Sequence, residues 1–459
     1  MKQLITCICI LIIAASCELS SSIHSSGQKK PSEIIPQQEI SSNDGITVFL
    51  TGNVLGSLKP CGCSGGQLGG LDRRPAVFNT VPKDKRLLID TGSLVENQSQ
   101  QSLFKFTIII EALKYLDYDI VNLTKQDIEM SRQSGQLDSS SKEYISSYET
   151  DQKFPIGNRL EYELNGQKIN ISVVGFDPLE RPIEDIKKVF PEEQSGKNVN
   201  ILIINHESNE IISGISKLGV VDCLVCPIKS DEPTVISDSG AKTLACAVGR
   251  FGRYISKLVI NNAPDGSLKL SFDYIPVREE IKQDDYLKDL YKTYQDMIKD
   301  AGLLGENLRS PLDGNLKYVG SEACESDDCH SEPLRHKYEY VVWKESGHAN
   351  AYATLVEEGS QYDPECIVCH VIGYKYESGF KTAETTPELK NVGCEYCHGP
   401  GSEHCKDPYN NKTTPIPDKV KKCLECHTPE HSGDFAGHEE EKMQLINHWP
   451  EPNDVNTVK

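Results

Sequence analysis

Three short segments constrain this chain more than any other feature: Cys366-Ile-Val-Cys369-His370, Cys394-Glu-Tyr-Cys397-His398 and Cys423-Leu-Glu-Cys426-His427. With 17 cysteines and 12 histidines in 459 residues, composition alone would give about 0.02 such segments. The spacing has a chemical reason. Two thiols three positions apart can each bond one vinyl group of a haem, and the histidine that follows is placed to ligate the iron. A fourth segment, Cys324-Glu-Ser-Asp-Asp-Cys329-His330, has a wider gap between its cysteines. It reads as a further haem site, the alternative being a disulfide beside an ordinary histidine. Zinc also binds paired cysteines, but it does not require histidine directly after each second one. The expectation is haem c, four groups in all, with His330, His370, His398 and His427 on the irons.

The surroundings fit that expectation. Between Leu316 and Pro450 only 20 of 135 residues are Leu, Ile, Val or Phe. So aliphatic-poor a stretch would normally stay disordered. Haems, as large apolar bodies, can supply the missing core. Six further histidines lie in the same stretch (His336, His348, His404, His431, His438 and His448), against only His24 and His206 elsewhere. The enrichment makes several of them candidate second axial ligands, although a surface histidine is the ordinary reading of any single one.

The start of the chain reads as an export signal: Lys2, an apolar run from Leu4 to Ala15, then Ala14-Ala15-Ser16-Cys17. The last four residues resemble a bacterial lipobox, which implies that Cys17 is acylated and holds the protein to a membrane; an ordinary signal cut nearby is the alternative. Export places the cysteines where thiols become disulfides, metal ligands or thioethers. Residues 18–44 are polar and rich in Ser, Gln and Pro, a tether with a random-coil span of roughly 30 Å.

From residue 45 to 281, β-branched runs alternate with helix-like stretches. The runs are Ile46–Leu50, Arg86–Asp90, Ile169–Gly175, Val199–Asn205, Asp222–Val225 and Tyr254–Ile260; the helical stretches include Leu103–Leu116 and Ile211–Leu218. This is the pattern of an α/β layered domain. Residues 282–315 begin with a charged, helically periodic stretch, Lys282 to Leu304, read as a helical linker. Residues 316–450 form the haem-cored, mainly α domain, and 451–459 a tail. The formal charge of −20 argues against nucleic-acid binding.

Two resemblances sharpen this picture. The text Tyr318-Val-Gly-Ser-Glu-Ala-Cys324, Trp343-Lys-Glu-Ser-Gly-His348-Ala-Asn-Ala-Tyr352, Tyr362-Asp-Pro-Glu-Cys366 and Gly393 to His404 resembles the tetrahaem electron-carrier cytochromes of ammonia-oxidising bacteria. By that pattern His348, His404 and His448 look like distal ligands. The α/β region resembles the calcineurin-like metallophosphoesterases of the 5′-nucleotidase type, through Ile46-Thr-Val-Phe-Leu-Thr-Gly, Leu87-Leu-Ile-Asp-Thr-Gly92 and Ile201-Leu-Ile-Ile-Asn-His206. That family holds two metals on Asp, Asn and His side chains. Here Asn53, Leu55, Ser93, Thr124 to Asp127 and Cys226 to Lys229 stand at ligand positions, and only His206 survives. The resemblance therefore implies a fold kept as scaffold or docking surface without phosphoesterase chemistry. Cys61, Cys63, Cys223, Cys226 and Cys246 are expected to form disulfides, the alternative being a replacement metal or redox site.

The function these readings point to is an extracytoplasmic multihaem cytochrome passing electrons between other redox proteins. The alternatives are a haem oxidoreductase acting on a small nitrogen compound at an open iron and, third, a phosphoesterase with a haem appendage.

Overall fold

The computed structural model describes residues 45–446, apart from 61–66, 138–140, 149–153, 191–196, 228, 238–240, 307, 326–328, 332–338, 412–418, 429–430, 433–434 and 436. The readings placed on Cys17, on the 18–44 tether, on Cys61 and Cys63, and on His336 and His448 fall outside the described residues. No helix among the described residues is long and apolar enough to cross a membrane.

Twelve strands build the first part: β1 (Ile46–Thr51), β2 (Arg86–Asp90), β3 (Ile120–Leu123), β4 (Tyr144–Ser146), β5 (Gly157–Leu164), β6 (Gln167–Phe176), β7 (Lys197–Ile204), β8 (Cys223–Val225), β9 (Thr234–Val235), β10 (Leu244–Ala247), β11 (Tyr254–Asn262) and β12 (Leu268–Pro276). They form two six-stranded sheets, in the orders β12-β11-β1-β2-β3-β4 and β5-β6-β7-β8-β10-β9. Both are mixed: β1, β2, β3 and β4 run parallel, as do β6, β7, β8 and β10, while β11, β12, β5 and β9 pair antiparallel.

Period-two alternation sorts the side chains into layers. On β1, Val48 and Leu50 face the other sheet, where they meet Ile171, Val173, Ile201 and Ile203. Phe49 faces outward, into a cluster with Phe106, Ile109 and Leu113 of the Gln100–Tyr115 helix and Leu287, Tyr294 and Ile298 of the Asp285–Ala301 helix. The second sheet is covered likewise by Ile186, Ile211, Ile212 and Ile215. The result is a helix–sheet–sheet–helix body, the layered α/β arrangement that the alternation of runs predicted.

The six strands expected from apolar runs are present, and six more accompany them. Those missed are short or lie at edges: β5 and β12 alternate polar and apolar along their length, with one face open, so neither reads as an apolar run. The Asp285–Ala301 helix, expected as a connector, packs as part of this body. Asp284 caps its first turn and Gly302 ends it at φ 65°. Its Tyr286 ring lies 4.3 Å from Tyr115, and its Leu287 and Ile298 are buried.

None of the described cysteines is in a disulfide, contrary to the expectation for Cys223, Cys226 and Cys246. Cys223 and Cys246 face each other across β8 and β10 with their sulfurs 4.0 Å apart, and Cys226 is also buried. They pack as small apolar side chains. Burial pushes the Cys226 thiol up to about 12, so it is protonated at neutral pH.

The loops above β1 and β2 hold unusual backbone. Asn53, Leu55 and Ser93 have φ of 49°, 53° and 59°. Asp127, fully buried, pins this region: its carboxylate accepts from the N–H groups of Ser93, Leu94 and Thr124 and from the Thr124 hydroxyl. It also completes a capping box at the start of the Lys125–Ser134 helix. In the full-length protein, Asp127→Ala is expected to cost about 3 kcal/mol, because three backbone N–H groups and the Thr124 hydroxyl lose their acceptor. Urea unfolding followed by far-UV circular dichroism checks it; an unchanged midpoint would contradict the role.

Candidate haem-binding site

The C-terminal part is built from short helices and turns, with a small core of its own made of Leu304, Leu355, Ile367, Val371, Ile372, Tyr374, Phe380 and Leu389. Each regular Cys-x-x-Cys-His segment lies in or at the end of a short helix. Cys366, Cys369 and His370 occupy the Pro364–His370 helix, and Cys394, Cys397 and His398 the Cys394–His398 helix. Cys423 ends the Lys419–Cys423 helix, with Cys426 and His427 in the turn that follows. Positions three apart lie on one helical face, so both sulfurs of a segment point the same way. Asp363 is the N-cap of the Pro364–His370 helix, its side chain accepting from the N–H of Glu365, with Pro364 at the first helical position. The wide segment begins in a single turn, Ser321–Cys324, and the Cys329 and His330 positions follow beyond it.

The segments converge. The Cys324 thiol hydrogen-bonds to the Cys394 sulfur, and that bond pulls Cys394 down to about 7. Cys369 does the same to Cys426, also to about 7, and the Tyr396 hydroxyl lies 3.1 Å from the Cys426 sulfur. Cys397, raised to about 11 by burial, feels Cys423 and Cys426. Contacts thus join the first segment to the third, the third to the fourth, and the fourth to the second.

The histidines are arranged in facing pairs. The rings of His330 and His404 are 6.2 Å apart, and those of His348 and His427 are 6.1 Å apart. Two imidazoles on opposite sides of one metal ion, each bonded at about 2.0 Å, put their ring centres about 6 Å apart. Each of these two pairs joins a histidine from a Cys-x-x-Cys-His-type segment to one of the predicted distal ligands.

Second contacts orient the rings. His404 Nδ1 lies 2.7 Å from the Asn411 carbonyl oxygen, and His427 Nδ1 lies 3.1 Å from the Ser432 hydroxyl. His370 Nδ1 meets the Ala351 carbonyl. A ring whose Nδ1 is held this way presents Nε2 to a metal. Burial lowers both His348 and His370, which keeps them neutral, the form that can ligate. Phe435 stacks on His427 at 4.7 Å. His431 turns its Nδ1 to Thr428, and His438 approaches Glu441; both rings lie at the surface. The donor set, the paired rings and the thin aliphatic core fit a haem carried on thioether links.

Two residues that sequence reasoning missed hold this arrangement. Glu395, between the cysteines of the third segment, is only 4% exposed. Its carboxylate accepts from the N–H groups of Val319, Gly320 and Gly401, tying the third segment to the approach to the first. Nothing in its spacing signals this. Asp363 was visible in principle, since Asp-Pro-Glu before a helix is a start signal.

The geometry defines a layered α/β body joined to a cysteine- and histidine-rich module. Comparison with known proteins agrees. Residues 323–399 match the family described as cytochrome c554 and c-prime. Cytochrome c-554 of Nitrosomonas europaea is 31% identical over 142 residues, which is 26% of this chain and 57% of that protein. The chain thus spans somewhat more than half the length of this relative. Solved structures similar to the chain include the 5′-nucleotidase precursor of Thermus thermophilus (TM-score 0.44, 15% identity, 61% of this chain and 63% of that one). The NAD nucleotidase of Haemophilus influenzae is another (TM-score 0.42, 12% identity, 61% and 64%). The chain joins a layered α/β body to a segment similar to cytochrome c554.

Glu395→Ala would leave three backbone N–H groups without their acceptor, at a cost of about 3 kcal/mol. The expected result is earlier thermal loss of visible-region circular dichroism than in the parent protein; equal midpoints would refute it.

Proposed function

We propose that this protein is an extracytoplasmic multihaem c-type cytochrome that carries electrons between redox partners. The observation that carries the reading is the coincidence of local and long-range chemistry. Three Cys-x-x-Cys-His segments, with a fourth wider one, sit where two distant histidines come to face the histidines of the first and fourth segments at 6.2 and 6.1 Å.

In this reading Cys324 and Cys329, Cys366 and Cys369, Cys394 and Cys397, and Cys423 and Cys426 hold four haems, with His330, His370, His398 and His427 as proximal ligands. His404 with His330 and His348 with His427 would hold the irons of the first and fourth haems, and His448 would hold another. Haem supplies a one-electron iron couple. The protein fixes the rings through Asn411, Ser432 and Ala351, and keeps His348 and His370 neutral by burial. Two histidines on one iron fill its coordination and favour electron transfer over substrate binding. The contacts among the four segments would hold the haems close to one another, as electron transfer between them requires. The leader of the sequence would export the chain, and a lipid on Cys17 would hold it at a membrane.

The α/β domain serves here as scaffold. Among the described residues no group of three or more His, Cys, Asp and Glu side chains is placed to hold a metal ion. Asn53 donates instead to the Gly249 carbonyl, and His206 sits beside Asp177.

Matured in a host with cytochrome-assembly machinery, the protein is expected to carry four covalent haems by pyridine haemochrome assay and intact mass. A colourless product, or zinc in its place, would end the reading. His404→Ala and His348→Ala are each expected to convert one low-spin haem to high-spin in the electron paramagnetic resonance spectrum. A parent spectrum already showing a high-spin signal that responds to nitric oxide would favour the oxidoreductase alternative. Hydrolysis of an aryl phosphate with added Mn²⁺ or Zn²⁺ is expected to stay at background; turnover would overturn the scaffold role.

A further inference from the structure

The α/β body touches the second haem segment with charge, not only with apolar surface. Two residues one turn apart on the Gln100–Tyr115 helix reach across. Gln101 Nε2 donates to Asp363 Oδ1 at 2.8 Å, and Lys105 Nζ pairs with Glu365 Oε2 at 2.6 Å. From the Asp285–Ala301 helix, the Tyr294 hydroxyl donates to Asp363 Oδ2 at 2.9 Å, and Tyr291 meets the Ser360 hydroxyl at 2.8 Å. All four contacts end within six residues of Cys366.

Lys105 is the unusual member. Its side chain is 8% exposed, whereas that of its partner Glu365 is 65% exposed. Its stem runs past Gly56, in the loop that stands where a metal ligand is expected; a Cβ on Gly56 would come within 3.0 Å of Lys105 Cδ. A lysine is rarely buried unless it is paired. A charge held away from water also acts more strongly on its neighbours than one in bulk solvent. Its neighbours are the carboxylates of Asp363 and Glu365, at the start of the helix that carries Cys366, Cys369 and His370.

We infer that Lys105 is a positioning residue that sets the reduction potential of the second haem, by placing a fixed positive charge from the α/β domain against the carboxylates beside that haem. The inference rests on the haem reading above. Reduction adds one electron to the iron, so a nearby cation favours the reduced form and a nearby carboxylate the oxidised form. The domain that resembles a phosphoesterase then has a specific task in the electron carrier: it supplies the charge that the cytochrome segment lacks at this point.

The test is a spectroelectrochemical titration of the haem-loaded, full-length protein and its Lys105→Met, Lys105→Arg and Glu365→Gln variants. Lys105→Met is expected to move one haem to lower potential and Glu365→Gln to move the same haem to higher potential. Lys105→Arg is expected to keep it near the parent value. Both changes break the same ion pair. If the pair only holds the two bodies together, Met and Gln variants would shift the haem in the same direction. That outcome, or no shift in either, overturns the inference. A protein that takes up no covalent haem fails earlier and visibly, at the absorption spectrum, which separates loss of the haem reading from loss of this one.

Discussion

The C-terminal module lacks the aliphatic surface a domain of its length normally buries, and most of its architecture follows from that shortage. Only eight of its described side chains form a buried apolar cluster, and Leu304 within it comes from just before the haem segments. What the module has instead is local rigidity. Short helices are started by Asp363 and Pro364, a carboxylate at Glu395 gathers three N–H groups, and ring stacking fixes His427. Such a framework is shaped to surround large flat apolar groups, with side chains oriented before the groups arrive. Preorganisation of this kind is how a protein tunes a metal centre through contacts beyond its ligands.

Much of this was legible in the sequence, for a physical reason. A Cys-x-x-Cys-His segment spans only five positions, so local spacing alone picks out Cys366, Cys369 and His370 and their counterparts as the candidate haem link. The strands found correctly, such as β2, β6 and β7, are buried on both faces and read as apolar runs. What stayed hidden is non-local or mixed in character. No spacing rule links His330 to His404 or His348 to His427; each pair meets only once the chain has folded back. The edge strands β5 and β12 carry Arg159, Glu161, Lys269 and Asp273 outward, and so look like loops. The Asp285–Ala301 helix reads as a charged connector because its exposed face dominates the composition, while Leu287, Tyr294 and Ile298 on the other face join the core.

The loops above β1 and β2 of the α/β body are rigid for a related reason. Asn53, Leu55 and Ser93 remain at positive φ, although none of them is glycine. Each such residue costs of order 1 kcal/mol or more. The conformation is held by a ladder of hydrogen bonds between the two loops, Asn53 N–H to the Gly92 carbonyl, Leu55 N–H to Ser93 and Gly56 N–H to Leu94. Asp127 locks the far side. Strained backbone is thus held in place by hydrogen bonds between the two loops.

That retained rigidity explains how the two parts of the chain can act on each other. A lysine in a mobile surface would lose its charge effect to solvent and salt. Lys105 does not, because its helix packs on β1 through Phe106 and Ile109, and its stem passes the locked loop at Gly56. The same helix offers Gln101 to Asp363, and the Asp285–Ala301 helix offers Tyr294 to the other oxygen of that carboxylate. The haem helix is therefore gripped at its N-terminus by two helices of another domain. Its charge environment is set by a body that lies outside the cytochrome segment altogether. A scaffold with strained but fixed loops serves this purpose better than a flexible linker, since electrostatic tuning works only when the charge stays where it is put.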